Sequence, residues 1–185
     1  MNSRIDTDKW VDRYGDTMYA YALKRVSDPI VAQDLVQDTF VAALGSYDSF
    51  SAKSSEKTWL IGILKHKILD YYRSKHRGIH KALETTSDID SFFNEAGHWK
   101  EMPSQWNTNP EQVLKNKEFL AVLHACIDML TQNQKNVFIF REIDGVALQE
   151  LCKIFSLSST NLSVILYRAR NKLRECIDRN WFNSK

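Results

Sequence analysis

Apolar residues recur every three or four positions along most of the chain, which is the spacing of an α-helix with one buried face. Near the C-terminus two such stripes follow one another: Leu148, Leu151, Cys152 and Phe155, then Leu162, Leu166, Ala169, Leu173 and Cys176. Only Ser156, Leu157 and Ser158 separate the two helices, so a sharp turn must join them, and Ser158, Ser159 or Thr160 can cap the second. The pattern predicts a helix-turn-helix.

The second helix of this pair carries polar and cationic side chains away from its apolar stripe: Asn161, Ser163, Arg168, Arg170, Asn171 and Arg174. Side chains of these types hydrogen-bond to phosphates and to base edges, so the segment is suited to reading duplex DNA. An ordinary helical hairpin with solubilising charges has the same pattern. This segment alone therefore does not decide between the two interpretations.

Three amphipathic helices are predicted in the N-terminal part, from Thr7 to Val26, from Pro29 to about Leu44, and from Thr58 to about Lys75. Asp28 is placed to cap the second of them, and Pro29 is placed at its first position. We expect this second helix to bury Val31, Leu35, Phe40 and Leu44. Its opposite face is acidic and polar, with Asp34, Gln37 and Asp38. Such a face either is simply solvated or docks a partner.

The third helix combines a buried stripe with basic and aromatic residues. The stripe is expected to contain Leu60, Ile63, Leu64, Ile68 and Tyr71. The other sides carry Lys57, Lys65, Lys67, Asp70, Arg73 and Lys75, with Trp59 at the start and Tyr72 near the end. Basic groups interleaved with aromatic rings suit single-stranded nucleic acid, because unpaired bases stack on rings. The alternative is that both rings belong to the core.

The C-terminal part begins after a segment without periodicity. Residues 78–109 mix polar and acidic residues with Pro103 and predict a linker. Asn109 and Pro110 are placed to start the next helix, and residues 131–134 have the spacing of a capping box. In the helix that follows the box, Val137, Phe140 and Ile143 are expected to face inward, and Asp144 and Gly145 to end it. The sequence thus predicts an all-α chain with two small helical domains, 1–77 and 110–185.

Charge is unevenly divided along the chain, although its net charge is only +2. Residues 1–50 have five basic and eight acidic side chains, and residues 51–81 have eight and two. Residues 82–130 have three and eight, and residues 131–185 have nine and five. Two basic zones therefore alternate with two acidic ones. A polyanion can bind at two separated places, and the acidic stretches would repel it or face other protein.

The three cysteines, Cys126, Cys152 and Cys176, are far apart in sequence and lie on predicted apolar helix faces. This spacing favours reduced core thiols over a disulfide framework or a zinc cluster. The apolar runs are much shorter than the roughly 20 residues of a membrane span, and no segment resembles a signal peptide. We therefore expect a cytoplasmic protein without membrane insertion, and no cofactor or metal.

Four segments, in this order, resemble the bacterial extracytoplasmic-function (ECF) sigma factors. They are Asp28–Leu44 (DPIVAQDLVQDTFVAAL), Lys57–Arg77 (KTWLIGILKHKILDYYRSKHR), Leu130–Ser158 (LTQNQKNVFIFREIDGVALQELCKIFSLS) and Tyr167–Cys176 (YRARNKLREC). The resemblance covers nearly the whole chain apart from the linker. It implies a factor that binds core RNA polymerase, reads the minus-10 and minus-35 promoter elements, and assists promoter melting and initiation. Domain 1–77 would bind the polymerase clamp and the minus-10 element, and domain 110–185 the minus-35 element.

The resemblance also implies roles for particular residues. Asp34, Gln37 and Asp38 would bind the clamp helices of the largest polymerase subunit. Contacts to the minus-10 DNA would come from Lys57, Trp59, Lys65, His66, Asp70 and Arg73. Contacts to the minus-35 DNA would come from Ser159, Thr160, Asn161, Ser163, Val164, Tyr167, Arg168 and Arg170. Further partners would be the polymerase flap region and an anti-sigma factor, which could hold the chain at the membrane.

This chain departs from the family pattern at several positions. Phe155 and Ser156 stand where many relatives have a small residue and Gly in the turn, and residues 161–165 are less basic than is usual. His66 replaces a commonly found Asn in the minus-10 segment. Base preference therefore does not follow from the resemblance.

Two other classes of protein share parts of this sequence pattern. A helix-turn-helix regulator that binds duplex DNA by itself explains the C-terminal half, but gives no role to Lys57–Arg77 or to the acidic helix. An enzyme is suggested only by His76 and His80, whose i, i+4 spacing suits metal ligands on a helix. No carboxylate motif accompanies this pair, so a basic surface is the better explanation and no catalysis is expected.

Overall fold

The computed structural model describes residues 7–47, 50, 53–76, 113 and 116–183. The chain divides into two compact units, Met1–Arg77 and Gly78–Lys185. Within the described residues every regular element is helical. The all-α fold with two helical domains is thus confirmed. The predictions for Asn109 and Pro110 and for the linker lie outside the described residues.

The first unit contains three α-helices: α1 (Trp10–Val26), α2 (Pro29–Gly45) and α3 (Glu56–His76). Ser27 takes the left-handed conformation and ends α1. The Asp28 side chain then accepts hydrogen bonds from the backbone N–H groups of Ile30 and Val31, and Pro29 occupies the first turn. This confirms the predicted cap, which satisfies two N–H groups that a helix start leaves without a partner.

The core of the first unit lies where the three helices contact each other. It contains Trp10, Met18, Leu35, Leu60, Leu64 and Ile68. Tyr72 is also buried, and its hydroxyl donates a hydrogen bond of 2.7 Å to the carbonyl of Arg25. The alternative of a core position is therefore correct for Tyr72. Tyr71, which was expected in the core, is only half-buried.

The second unit contains α4 (Lys117–Asp128), α5 (Gln132–Phe138), α6 (Leu148–Phe155) and α7 (Ser159–Ile177). The predicted capping box is present, because the Thr131 side chain and the Gln134 side chain each bond to the other's backbone N–H. The side chain of Ser158 caps α7 by accepting from the N–H of Asn161. The helix-turn-helix is thus formed by α6 and α7. Helix α7 contacts α4, α5 and α6 and is the centre of the unit.

Two further positions that were predicted to be buried, Leu44 and Ile143, are exposed. Leu44 is 56% exposed. It follows Leu35 by nine residues, or about two and a half helical turns, which places the two residues on opposite sides of α2. Ile143 is 58% exposed. Helix α5 widens into a π-helical segment, Ile139–Ile143, and a π turn adds a residue and shifts the side chains that follow.

The cysteines also differ from the expectation. Cys126 of α4 and Cys176 of α7 form a disulfide bond, whereas Cys152 is a free thiol. The prediction of three reduced thiols is therefore wrong for one pair. The bond closes a loop with a sequence separation of 50 residues, and cross-links of this kind stabilise a fold by roughly 2–4 kcal/mol. It joins the first described helix of the unit to the end of α7.

Candidate nucleic-acid interface

The outer face of α2 combines acidic and apolar side chains. Asp34, Gln37 and Asp38 are all exposed, as the sequence predicted. Ile30, Val41 and Leu44 are exposed on the same side, because all six positions fall within one half of the helical circumference. The apolar members were not recognised in the sequence. Exposed apolar residues beside charges are typical of a surface that docks protein.

An aromatic cluster supports the start of α3. The Trp59 ring lies edge-on to Trp10, with ring centroids 5.9 Å apart, and 5.0 Å from the ring of Phe50. Trp10 is fully buried, whereas Trp59 is half-buried. Trp59 therefore packs on the core with part of its surface and leaves the rest open. Lys57, two residues earlier, is exposed.

A hydrogen bond fixes the same end of α3 to α1. The Tyr14 hydroxyl donates to Oε2 of Glu56 over 3.1 Å. Burial raises the pKa of the Tyr14 hydroxyl above its usual range, and the hydrogen bond and the charge of Glu56 raise it further. Tyr14 therefore stays protonated and able to donate at neutral pH. This bond helps to hold Lys57 and Trp59 in place.

Further along α3 the polar residues spread over a broad surface. His66 is exposed, and Lys65 is half-buried. Arg73 donates to the carboxylate of Asp70 in an exposed ion pair. An anion that binds Arg73 must therefore compete with Asp70. The cationic surface of α3 is continued by Lys75, whose Nζ lies 5.4 Å from the centre of the Tyr71 ring.

One face of α7 presents the residues expected to read DNA. Ser159, Thr160, Ser163 and Arg170 are exposed, and three further members of the predicted set on this helix are half-buried: Asn161, Val164 and Tyr167. The cap at Ser158 fixes the start of the helix, where its N–H groups point outward. Arg170 forms an ion pair of 2.6 Å with Glu142, which comes from the π-helical segment. This pair connects the DNA-facing side of α7 with the segment that follows α5.

Arg168 is a correction to the expected set. It is only 2% exposed, so its guanidinium is not at the surface where DNA would bind. The physical reason is that α7 is surrounded by α4, α5 and α6, so positions beyond its apolar stripe are also covered. Sequence periodicity finds one buried stripe and does not show burial on a second side.

The candidate metal pair is only partly within the described residues. His76 is buried and stacks on the Tyr72 ring at a centroid distance of 5.9 Å, whereas His80 lies outside them. Among the residues that the structure describes, no three His, Cys, Asp or Glu side chains are grouped to hold a metal ion. Across the same residues, none of the helices combines the length and hydrophobicity that a membrane crossing requires.

Comparison with known proteins identifies both units. Residues 10–78 match the model of Sigma-70 region 2, and residues 120–173 match that of Sigma-70, region 4. The chain is 36% identical over 165 residues to a probable RNA polymerase sigma factor of Haemophilus influenzae, covering 88% of this chain and 84% of that protein. The chain belongs to the RNA polymerase sigma factors, in their ECF group. As a sigma factor it acts in promoter recognition and transcription initiation.

Other relatives carry the same family name. The ECF RNA polymerase sigma factor SigX of Bacillus subtilis is 29% identical and covers 89% of this chain and 79% of its own length. Among solved structures, the sigma factor RpoE of Bartonella quintana in complex with the anti-sigma factor NepR is similar to 95% of this chain and 98% of its own. Its TM-score is 0.45 at 23% identity. The structure of CnrH with the cytosolic domain of CnrY has a TM-score of 0.41 at 21% identity, covering 94% and 88%.

Proposed function

We propose that this sigma factor binds core polymerase through the outer face of α2. Asp34, Gln37 and Asp38 supply the polar contacts to the clamp helices of the largest subunit, and Val41 and Leu44 add apolar area beside them. The observation that carries this proposal is that these side chains are all exposed on one side of a helix whose other side is buried. Exposed apolar side chains that are grouped beside charged ones mark a protein-binding surface more often than a face that only contacts water.

The minus-10 contact is assigned to α3 and the residue before it. Lys57, Lys65 and Arg73 neutralise phosphates of the unpaired strand, and the open side of Trp59 stacks with a base. His66 and Asp70, on the same helix, form hydrogen bonds with base edges in this proposal. The support for this assignment is that Lys57, His66 and Asp70 are exposed and that Trp59 is only half-buried.

The minus-35 contact is assigned to the first half of α7, which enters the major groove. Ser159, Thr160, Asn161 and Ser163 supply hydrogen-bonding groups, and Val164 and Tyr167 supply apolar contact. Arg170 contacts a phosphate. Arg168 is left out because of its burial.

Neither DNA contact needs to be strong by itself. Each neutralised phosphate changes the logarithm of affinity by about 0.9 per logarithm of salt concentration, so a few contacts give modest affinity. Binding of both units to one polymerase raises the effective concentration of each for its own element. Promoter opening is then driven by binding energy without ATP. The chemistry of RNA synthesis belongs to the polymerase, and we assign no catalytic role to this chain.

Two further partners complete the proposal. The second unit binds the flap region of the polymerase, and an anti-sigma factor holds the chain inactive, in the cytoplasm or at the membrane. The support for both proposals is membership in the ECF group.

Charge reversal on α2 tests the polymerase contact. The double substitution Asp34→Arg and Asp38→Arg should abolish binding to purified core polymerase, because it replaces two carboxylates of the proposed contact with two cations. The matched control is Asp12→Arg with Asp16→Arg, which reverses two exposed charges, also four residues apart, on α1. The control should bind normally, and circular dichroism should show both variants folded. Retained core binding by the α2 variant rejects this face.

A further inference from the structure

An open groove lies beside the disulfide bond of the second unit. Its volume is about 270 Å³, and Cys126, Met129, Lys172, Cys176 and Arg179 contribute to its walls. The proposed DNA-reading residues of α7 do not line it. The groove therefore gives solvent a separate route to the bond.

The two sulfur atoms differ in access. Cys126 is 2% exposed and belongs to the core cluster with Phe119 and Ile127. Cys176 is only partly buried, at the edge of that cluster. Met129, whose Sδ lies 3.9 Å from Sγ of Cys176, is itself 78% exposed. Access therefore directs an attacking group to Cys176.

The place where a sigma factor works makes this access important. The bacterial chromosome lies in the cytoplasm, where thiols are kept reduced and disulfides are usually transient or redox-sensing. A bond that a reductant can reach there will respond to the thiol redox state. A bond sealed in the core would respond much less.

We propose that the Cys126–Cys176 disulfide is a redox-controlled cross-link that is opened by attack of a thiolate on Sγ of Cys176. The attack forms a mixed disulfide at Cys176 and breaks the original bond, whose electron pair leaves on Cys126 and takes up a proton. A second thiol then attacks the mixed disulfide and releases Cys176 as a thiol together with the oxidised reductant. Two electrons and two protons are transferred in total, from a dithiol protein or from two small thiols.

The charges around the groove favour a thiolate. Lys172 and Arg179 both line it, and cations attract an anionic nucleophile. Arg179 is paired with Glu175 over 2.8 Å, so part of its charge is offset, although both side chains are exposed. Cys126 contributes to the groove wall but is only 2% exposed, so its Sγ is less accessible to attack than that of Cys176, even though burial makes a Cys126 thiolate a poor leaving group.

Opening the cross-link would loosen the helix that reads DNA. The bond ties the end of α7 to α4, and its loss returns conformational freedom to the unfolded state of the whole unit. We expect a fall in the Tm of this unit by roughly 10 °C or more. The consequence for DNA rests on the proposed role of α7, whereas the chemistry and the change in stability do not.

Peptide mapping tests the chemistry on the full oxidised chain. A Cys152→Ser background removes the free thiol, and reduced glutathione is the probe. After brief reaction, N-ethylmaleimide is added to block free thiols. The proposal expects glutathione on Cys176 and N-ethylmaleimide on Cys126. Glutathione on Cys126, or a bond that opens only after unfolding in urea, would overturn it.

Hydrogen exchange tests whether reduction destabilises the second unit, and the first unit serves as the control in the same measurement. Reduction should speed exchange in residues 116–183 and leave residues 7–76 unchanged, because the bond lies entirely within the second unit. Cys176→Ser should show the fast pattern without reductant and no further response to it. Unchanged exchange in 116–183 overturns the proposed control of stability. Neither measurement involves polymerase, so failure of the α2 contact would leave both results as they are.

Discussion

Each side-chain cap of a helix stabilises the fold through hydrogen bonds to backbone N–H groups only two or three residues away. Asp28 binds two backbone N–H groups at the start of α2, and Asp38 lies exposed on the same helix. We expect Asp28→Ala to lower the free energy of unfolding by about 1 kcal/mol, and Asp38→Ala to change it by less than about 0.5 kcal/mol. Urea denaturation of the full chain measures both values. Equal losses would show that the cap does not stabilise α2.

Arg170 is the residue with which the DNA contact of α7 can be tested most simply. If it neutralises one phosphate, Arg170→Ala should reduce the slope of log affinity against log salt by about 0.9. Arg179 is the matched control, because it is also an exposed arginine in an ion pair with a glutamate. Binding of the assembled polymerase to promoter DNA, measured at several salt concentrations, gives both slopes. The assignment fails if the two variants have the same slope.

Residue-scale features were predictable where they depend on neighbours in sequence. The caps at Asp28, Thr131 and Ser158 use donors two or three residues away, and all three are present. The burial of Arg168 depends on which helices surround α7, and the sequence pattern contains no information on that packing. The same limit explains why Tyr72 rather than Tyr71 lies in the core.

Among the helices, α2 has one side that packs on the core and an opposite side that we propose binds the polymerase. Leu44 is apolar and exposed, whereas Leu35 is buried on the opposite side. We expect Leu44→Ser to leave stability unchanged and to weaken core binding at least about fivefold, because it removes apolar area only from the docking face. Leu35→Ala should instead cost about 2–5 kcal/mol of stability.

Two measurements separate these cases: urea denaturation for stability and a core-binding titration for affinity. If Leu44→Ser destabilises the chain as Leu35→Ala does, Leu44 belongs to a core and not to the docking face. If it binds core normally, the apolar part of the face has no role. The sequence placed Leu44 on the buried side because the assumed stripe drifted around the helix over nine residues.

The π-helical segment is a second element that the pattern did not predict. Residues 131–134 gave the correct start of α5, but the extra residue in Ile139–Ile143 turned Ile143 outward. The Asp144–Gly145 end was predicted correctly, since Gly145 has a positive φ of 68° that glycine adopts without strain. Glu142, which pairs with Arg170, lies in this segment. Its role could not be predicted because the pair joins residues 28 positions apart.

In the whole molecule, the proposed function requires that both units stay on one polypeptide chain. A protease site placed in the predicted linker, between residues 78 and 109, allows the chain to be cut outside the described helices of both units. We expect the cut chain to need about a hundredfold more protein for the same initiation, because the effective concentration of the second unit is lost. The uncut chain with the same site is the control. Equal activity before and after cutting would show that the tether is not required.

The sequence predicted the order of the two units because each is a set of amphipathic helices and a net acidic segment without helical periodicity lies between them. It did not predict the disulfide, since Cys126 and Cys176 are separated by 50 residues and meet only after α4 packs on α7. Their wide spacing in sequence favours reduced thiols. Long-range pairs of this kind depend on tertiary packing, which the positions of single residues do not reveal.

Run-off transcription tests the central claim most directly. The template carries a promoter identified by mapping the 5′ ends of transcripts after overexpression of the chain, and core polymerase is supplied with and without the protein. The account predicts one specific start that appears only when the chain is added and that disappears with Asp34→Arg and Asp38→Arg. An intact chain that binds the duplex by itself and gives no specific start with core polymerase would contradict it.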